Sequence, residues 1–538
     1  MASTYDFVVL GGGHNGLITT AYLSKAGFKV CCLEANDEFG GSTRSGEVTA
    51  PGYVSELGGM VHNMISATPI VTEDELGLFS KYGFEYAHAK ALFCSIFPDQ
   101  TSLVMHHDID KACEAIGKFS KHDAEIYPEF HEYMVNMLAV AGIGSQSAPP
   151  PYGTMMNVMY MSPEGREFQR VLNSSAQQIV EEWFESEEVR VTFTRWCTEM
   201  MIDPREIGTA SLLYFTSNIH NPDLYCINGK VNHEYPGAPF PKGGSKSFID
   251  ALCCCCKDEG ADLFLNAEAS ALYVENGEAK RVRILDGRIF EADQGVVSCI
   301  NIKQVYAMLG DAAPEDEARA VARLKHADFG ALNQSFALKK IPEFKAGPEV
   351  LEAFCIEAAP YEKEYLQTFS NYPLGEFSPR LPLITIPSLL DETRCPEGHS
   401  VVNIYQYAPY RLWGDPQNWV THKEELERQV WDFFKGMTTN ITDDDVVGHW
   451  SLTPLEYEQW DHAMVCGDIG QIGLQPSQMY DMRPFAGKGH EYHGAIDNLY
   501  FLGCCSHPGA GIAASARAGV QKLLEDYGVD FREVVKKK

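Results

Sequence analysis

Gly11, Gly13 and Gly16 are spaced as G-x-G-x-x-G, and Glu34 follows 23 residues after the first of them. In this spacing the first glycine turns the chain, the second lets the backbone approach a pyrophosphate, and the third packs a helix against a strand. A carboxylate at that distance accepts hydrogen bonds from a ribose diol and repels a 2′-phosphate. The chemistry predicted is capture of an adenine dinucleotide. The elements needed to hold it surround the loop. Residues 5–10 form a short β-rich apolar run, residues 17–26 are patterned as a helix, and residues 29–33 form a second apolar run ending at Glu34. Free N–H groups at the helix start face the anion, with His14 and Asn15 in the loop beside them and Ala35 next to the acid.

Three further features favour FAD over NAD. Gly40-Gly41-Ser42-Thr43-Arg44-Ser45 is a second glycine turn with hydroxyls and a cation, suited to the rest of a long pyrophosphate–ribityl chain. A third glycine pair lies in Glu56-Leu57-Gly58-Gly59-Met60-Val61-His62. Near the C-terminus, a strand-like run at 498–502 enters Gly503-Cys504-Cys505-Ser506-His507-Pro508-Gly509-Ala510-Gly511-Ile512, followed by an Ala-rich helix from 513 to about 527. The dipole at the start of that helix would stabilise negative charge growing at the pyrimidine edge of a flavin. Gly509-Ala510-Gly511 as a separate NAD site is disfavoured, because no second strand ending in an acid follows.

Length and composition bound these readings. A chain of 538 residues is expected to hold two or more interleaved domains. With 45% hydrophobic and 22% charged residues, neither disorder nor a fibrous repeat fits. Lys and Arg number 43 against 74 Asp and Glu, a net charge of −31 that repels phosphate backbones, so nucleic acid is not expected as a partner. The first ten residues carry Asp6 and no basic residue, unlike a signal peptide. No apolar run reaches transmembrane length, while peripheral membrane contact stays open. The sixteen cysteines sit in apolar contexts without a spaced disulfide framework, which predicts a cytoplasmic protein.

These motifs resemble the phytoene desaturase-like branch of the FAD-dependent amine oxidase superfamily. The likeness is carried by the Gly11-Gly12-Gly13-His14-Asn15-Gly16-Leu17 loop, Gly40-Gly41, Pro51-Gly52-Tyr53 and Pro241-Lys242-Gly243-Gly244. It continues through Ile386-Pro387-Ser388 with Asp391, Gln406-Tyr407-Ala408-Pro409-Tyr410, Gln478-Met479-Tyr480 with Arg483-Pro484, and the segment from Asn498 to Gly509. The resemblance implies an α/β protein: a Rossmann-like FAD-binding domain assembled from discontinuous segments, with an inserted mixed α+β substrate domain. The expected FAD-binding segments are 1–70, 236–310 and 485–538, and the substrate segments 71–235 and 311–484. Short strands with turns at Asn276-Gly277 and Asp286-Gly287 agree with this. The likeness further implies that the segment at Glu268-Ala269 meets the adenine and that Ser298-Cys299 closes over the dinucleotide. Gly58, Gly59 and Met60, and later Gly503, Gly511 and Ile512, are expected at the flavin.

The chain departs from the family in two places. Some relatives carry Gly-Gly-Arg where Gly40-Gly41-Ser42 stands here, so a pyrophosphate cation comes from Arg44 or is absent. Cys504 occupies the position where amine oxidases usually place an acid. The expected flavin is noncovalent.

Other chemistry-bearing residues have blander readings. Cys253-Cys254-Cys255-Cys256 lies inside a helix-patterned stretch and reads as buried small hydrophobes. His106-His107-Asp108 lacks a partner motif for a metal, and Asp443-Asp444-Asp445 after Thr442 reads as an acidic first helical turn. Met134, Met137, Met155, Met156, Met159 and Met161 suit either a lid over a hydrophobic substrate or plain packing. Residues 401–410 alternate as a strand, with Tyr405 and Tyr407 on one face, and one face is expected to line the substrate cavity. His507, His62 and Tyr407 are the candidate catalytic residues. For the two histidines, a loop hydrogen bond is the alternative to proton handling.

The function expected is FAD-dependent oxidoreduction of a small or lipophilic organic substrate. Hydride would pass from a substrate carbon to flavin N5, giving C=C or C=N. The alternatives are a saturase, a non-redox isomerase, or a non-catalytic flavin-binding interaction protein. In such chemistry the cofactor performs the difficult step, so no catalytic motif need be visible. The sequence names neither substrate nor electron acceptor.

Overall fold

The computed structural model describes residues 3–220, 226–227, 230–231, 239–509 and 515–536. One sheet is drawn from three distant parts of the chain. Its strands Asp262–Phe264, Val30–Leu33, Ser3–Leu10, Ile289–Ser298 and Leu499–Phe501 run parallel. The long strand Ile289–Ser298 also pairs at its start with Glu278–Ile284, which hairpins to Ala269–Glu275. Val30–Leu33 is buried throughout and Ser3–Leu10 over its second half, as expected of parallel strands covered on both faces. The turns expected at Asn276-Gly277 and Asp286-Gly287 fall between these strands.

The helix His14–Ala26 is buried from His14 to Ser24. It packs against the helices Ser245–Asp258 and Ser515–Asp526. Cys253, Cys255 and Cys256 belong to the core between them, and the Cys256 thiol donates to the Leu17 carbonyl at 3.2 Å. Packing therefore accounts for three of the four cysteines; Cys254, expected to be buried with them, is exposed. No two of the described cysteines are bridged.

A second, mostly antiparallel sheet has the order Val446–Leu452, Gly330–Leu338, Ser400–Ala408, Pro382–Thr385, Ala353–Ala358, Ala91–Ile96, Ser102–His106. Period-two alternation divides its faces. Val402, Ile404 and Ala408 pack with Trp419, Val430 and Phe434 of the helix Asn418–Met437. Tyr405 and Tyr407 turn the other way, toward the helix Glu187–Cys197. Asp108 caps the helix Ile109–Ile116, and Asp445 forms a capping box with Thr442, so both acidic motifs serve local structure. Among the described residues, no group of side chains could hold a metal ion, and no helix is long and apolar enough to cross a membrane.

Candidate active site

The loop from Gly11 to Gly16 turns out of its strand over a cleft of about 290 Å³. Its three glycines serve different ends. Gly11 adopts φ +92°, and a Cβ on Gly16 would lie 1.8 Å from the Gly11 carbonyl oxygen, so both are demanded by the turn itself. A Cβ on Gly13 would meet nothing closer than 3.7 Å, so its lack of a side chain leaves room on the cleft side. No side chain caps the helix that follows and no acid lies in its first turn, which leaves its leading N–H groups to an anionic ligand.

Glu34 stands at the end of the second strand. Its Oε2 accepts from the Gly12 N–H at 2.6 Å, and its Oε1 accepts from the Asn36 backbone and side chain, each at 2.9 Å. Burial pushes its carboxyl above the usual range, against those hydrogen bonds. His14, Asn15, Ala35, Gly41, Ser42 and Ala269 also line the cleft. Asp461, Gln304 and Gln471 line it too, and no local pattern in the sequence marks them. Three carboxylates, Glu34, Glu268 and Asp461, face this space, and among the described residues no lysine or arginine does.

A second cavity of about 220 Å³ adjoins the first, and His14, Ser42, Met464, Ile469 and Cys504 belong to both walls. Gly58, Gly59 and Met60 line it. Trp196, Met200, Leu212, Leu383 and Cys355 line it too, so the space is largely apolar, with His14, Ser42, Glu199, Asn403, Tyr405 and Tyr457 as its polar members. A polar cleft opening onto an apolar chamber fits a dinucleotide whose far end is a flat aromatic ring system.

Residues 197–521 match the family of flavin containing amine oxidoreductases, and residues 9–72 match an NAD(P)-binding Rossmann-like domain. The chain belongs to the flavin containing amine oxidoreductase family. It is an FAD-dependent oxidoreductase with the Rossmann-like α/β fold. It is 24% identical to pyridine nucleotide-disulfide oxidoreductase domain-containing protein 2 of Rattus norvegicus, over 95% of this chain and 92% of that one. It is 24% identical to the lycopene-forming phytoene desaturase of Pseudescherichia vulneris, over 96% of this chain and 99% of that one. A redesigned putrescine oxidase superposes with a TM-score of 0.62 at 12% identity, covering 98% of this chain and all of the other, which is a likeness of fold.

Several expected site residues of this flavin oxidoreductase lie elsewhere. Arg44 does not reach the cleft: its Nε donates to the Gly41 carbonyl at 2.6 Å, its Nη1 to Glu38 at 3.0 Å, and its guanidinium stacks on Trp460 at 3.9 Å. It braces the glycine turn from behind. Ser298 ends its strand between Leu10 and Phe501, and the next two residues, Cys299 and Ile300, line the cleft instead. Gly503 lies behind the wall, where a Cβ would sit 2.7 Å from the Cys299 carbonyl. Gly511 and Ile512 lie outside the described residues. Met134, Met137 and Met155 are buried, whereas Met161 is 84% exposed, and none of the six methionines of that segment lines either cavity.

None of the three candidate catalytic side chains is in either wall. His62 is fully buried, bonded to the Tyr86 hydroxyl at 3.0 Å and edge-on to Phe248. His507 is buried with its ring against Tyr480, and its carbonyl accepts from Tyr492. Tyr407 packs one step deeper than Tyr405, in a polar knot. Its hydroxyl meets Arg195, Thr198 and Glu199. It is Tyr405, two residues earlier on the same side of the strand, that faces the chamber.

That knot has a buried electrostatic centre. Arg195 has no exposed surface and donates to Glu199 at 2.6 Å and to the Leu381 carbonyl at 3.2 Å. Nearby Glu357 is fully buried, and neither of its oxygens has a hydrogen-bond partner among the described residues. Burial pushes its carboxyl from 4.5 up to about 8; Arg195 opposes the rise and Glu199 adds to it. The folded chain therefore keeps this proton over a range in which the unfolded chain has lost it. The associated stability is complete below about pH 4.5 and is lost as pH rises through about 8. Glu357→Gln, which imitates the protonated form, is expected to leave urea stability nearly unchanged near pH 4 and to become increasingly stabilising as pH rises above about 4.5. At pH 9 it should stabilise by about 1–3 kcal/mol, the scale of one unpaired buried polar group. Equal pH dependence in the two proteins would contradict this.

Proposed function

We propose that this flavin oxidoreductase binds FAD noncovalently along the cleft, and that it dehydrogenates a small or lipophilic substrate held in the adjoining chamber. The observation that carries the reading is the shared wall of His14, Ser42, Met464, Ile469 and Cys504, which brings a dinucleotide-shaped polar site against an apolar space. The Gly11–Gly16 loop and the first turn of its helix would hold the pyrophosphate through backbone N–H groups. Glu34 would take a ribose, Ala269 the adenine end, and Ser42, Gly58, Gly59 and Met60 the ring end. When bound, FAD supplies the acceptor for a hydride leaving a substrate carbon; loss of a proton from the neighbouring atom completes C=C or C=N.

The chain's own contribution is placement and exclusion of water. Val61, Met64, Trp196, Leu212 and Leu383 make a wall that desolvates an apolar substrate and restricts its approach. Noncovalent retention is supported by Cys504, at this wall, and by its neighbour Cys505. Burial pushes the Cys504 thiol up to about 12 and the Cys505 thiol up to about 11, so neither is a thiolate at neutral pH.

The purified protein is expected to be yellow and to release intact FAD on denaturation in acid. Its flavin is expected to bleach anaerobically when a substrate of this class is added. A colourless protein that refuses FAD overturns the proposal. A flavin that stays oxidised with such substrates, but is reoxidised after photoreduction by an unsaturated compound, would reverse the direction to that of a saturase.

A further inference from the structure

The substrate chamber is apolar over most of its wall, but Glu199 and Tyr405 each bring to it a polar atom that bonds to no described residue. Glu199 spends Oε1 on Arg195 and Tyr407, while its Oε2 bonds to no described residue, and its side chain keeps 20% exposure into the chamber. The Tyr405 hydroxyl is buried and has no hydrogen-bond partner among the described residues. Of the other polar members, Asn403 spends its amide donors and Tyr457 its hydroxyl within the protein. Asn403 donates to Asn333 at 2.9 Å and to Ser335 at 3.1 Å, and Tyr457 donates to the Leu57 carbonyl at 3.5 Å. Glu199 thus offers an acceptor and Tyr405 a donor in a largely apolar space, where an unmade hydrogen bond is expensive.

We infer that Glu199 and Tyr405 form the recognition point for a neutral hydroxyl group on an otherwise apolar substrate. The inference rests on the reading of this chamber as the substrate site. A hydroxyl both donates and accepts, so it satisfies the carboxylate oxygen and the phenol together. A pure hydrocarbon would leave both unpaired, which a site built for one would not present. An ammonium is the other group a carboxylate attracts, but Glu199 already neutralises Arg195 across 2.6 Å. A second cation at this carboxylate would be a buried, uncompensated charge, and a neutral donor introduces none.

The pair escaped sequence reasoning for a simple reason: Glu199 follows the helix Glu187–Cys197 and Tyr405 belongs to the strand Ser400–Ala408, about two hundred residues apart. Tyr407, bonded to Glu199 and 6.3 Å ring to ring from Tyr405, links them. Glu199 and Tyr405 are here specificity-determining residues rather than groups that take part in hydride transfer.

The test uses the FAD-loaded protein and four probes: decanol, its isomer methyl nonyl ether, decylamine and decane. Binding is read from shifts in the flavin absorbance and from the intrinsic tryptophan fluorescence, to which Trp196 in the chamber wall contributes. Decanol is expected to bind about tenfold more tightly than the ether, which cannot donate to Glu199, and more tightly than protonated decylamine. Tyr405→Phe is expected to weaken decanol and the ether by about threefold to tenfold each, because both accept from the phenol, while decane is unaffected. Unchanged decane binding shows that the variant chamber is intact. The inference is overturned if the ether matches decanol, if decylamine binds best, or if Tyr405→Phe leaves decanol unchanged. If no probe binds although the flavin is in place, the chamber is not the substrate site, and the reading beneath the inference fails with it.

Discussion

Gly13→Ala is expected to yield a folded protein that has lost its FAD. The backbone at Gly13 has φ −71°, a value any L-residue adopts, and a Cβ there meets no protein atom closer than the Gly41 Cα at 3.7 Å. The new methyl group therefore occupies only the space into which a pyrophosphate would approach. FAD affinity is expected to fall on the order of 100-fold, about 2.7 kcal/mol, while the thermal midpoint of the apoprotein stays within about 2 °C of the parent. Gly16→Ala provides the contrast. Its Cβ would lie 1.8 Å from the Gly11 carbonyl oxygen, so that variant should lose stability whether or not cofactor is present. Equilibrium dialysis with FAD and melting of the apoproteins separate the two effects. Unchanged FAD affinity in Gly13→Ala would remove the glycine loop from the cofactor site.

Arg394→Met is expected to be the most damaging substitution outside the cleft. Arg394 has no exposed surface; its Nε donates to Asp391 at 2.8 Å, and its Nη2 donates to Glu56 at 2.8 Å and to the Pro241 carbonyl at 2.9 Å. Asp391 in turn accepts from the Gly243 N–H at 2.7 Å, and Glu56 from the Ser245 N–H at 3.3 Å. One guanidinium thus fastens three distant stretches of chain immediately before Gly58 and Gly59 enter the chamber wall. Removing it leaves two buried carboxylates without their cation, a loss of about 3–5 kcal/mol. Because the attraction only offsets the cost of desolvation, neutralising the partners as well should repair much of the damage. Arg394→Met with Glu56→Gln and Asp391→Asn is expected to recover at least half of the lost stability in urea unfolding. A single variant as stable as the parent would show that this cluster does not hold the segments together.

The same cluster marks where sequence reasoning ends. Pro241-Lys242-Gly243-Gly244 and the Asp391 motif were legible as separate motifs of one family, and nothing local says that Arg394 joins them. Arg44 is a similar case. Its position in a glycine turn suggests a phosphate cation, but Trp460, more than four hundred residues away, offers its ring face and carbonyl and draws the guanidinium back. Among the described residues the cleft is left with three carboxylates, neutral polar side chains and backbone N–H groups, and with no lysine or arginine.

By itself the sequence determined the dinucleotide loop, the strands and helix flanking it and the acid at Glu34. These depend on turn geometry, hydrogen bonds and side-chain periodicity within about 35 residues, and such terms are written in local order. The tertiary structure alone decided which tyrosine of the strand Ser400–Ala408 faces the chamber, which carboxylate Arg195 neutralises, and that Arg44 turns away. Those outcomes depend on which distant surface supplies a partner for a buried polar group, and that partner exists only once the chain has closed around it.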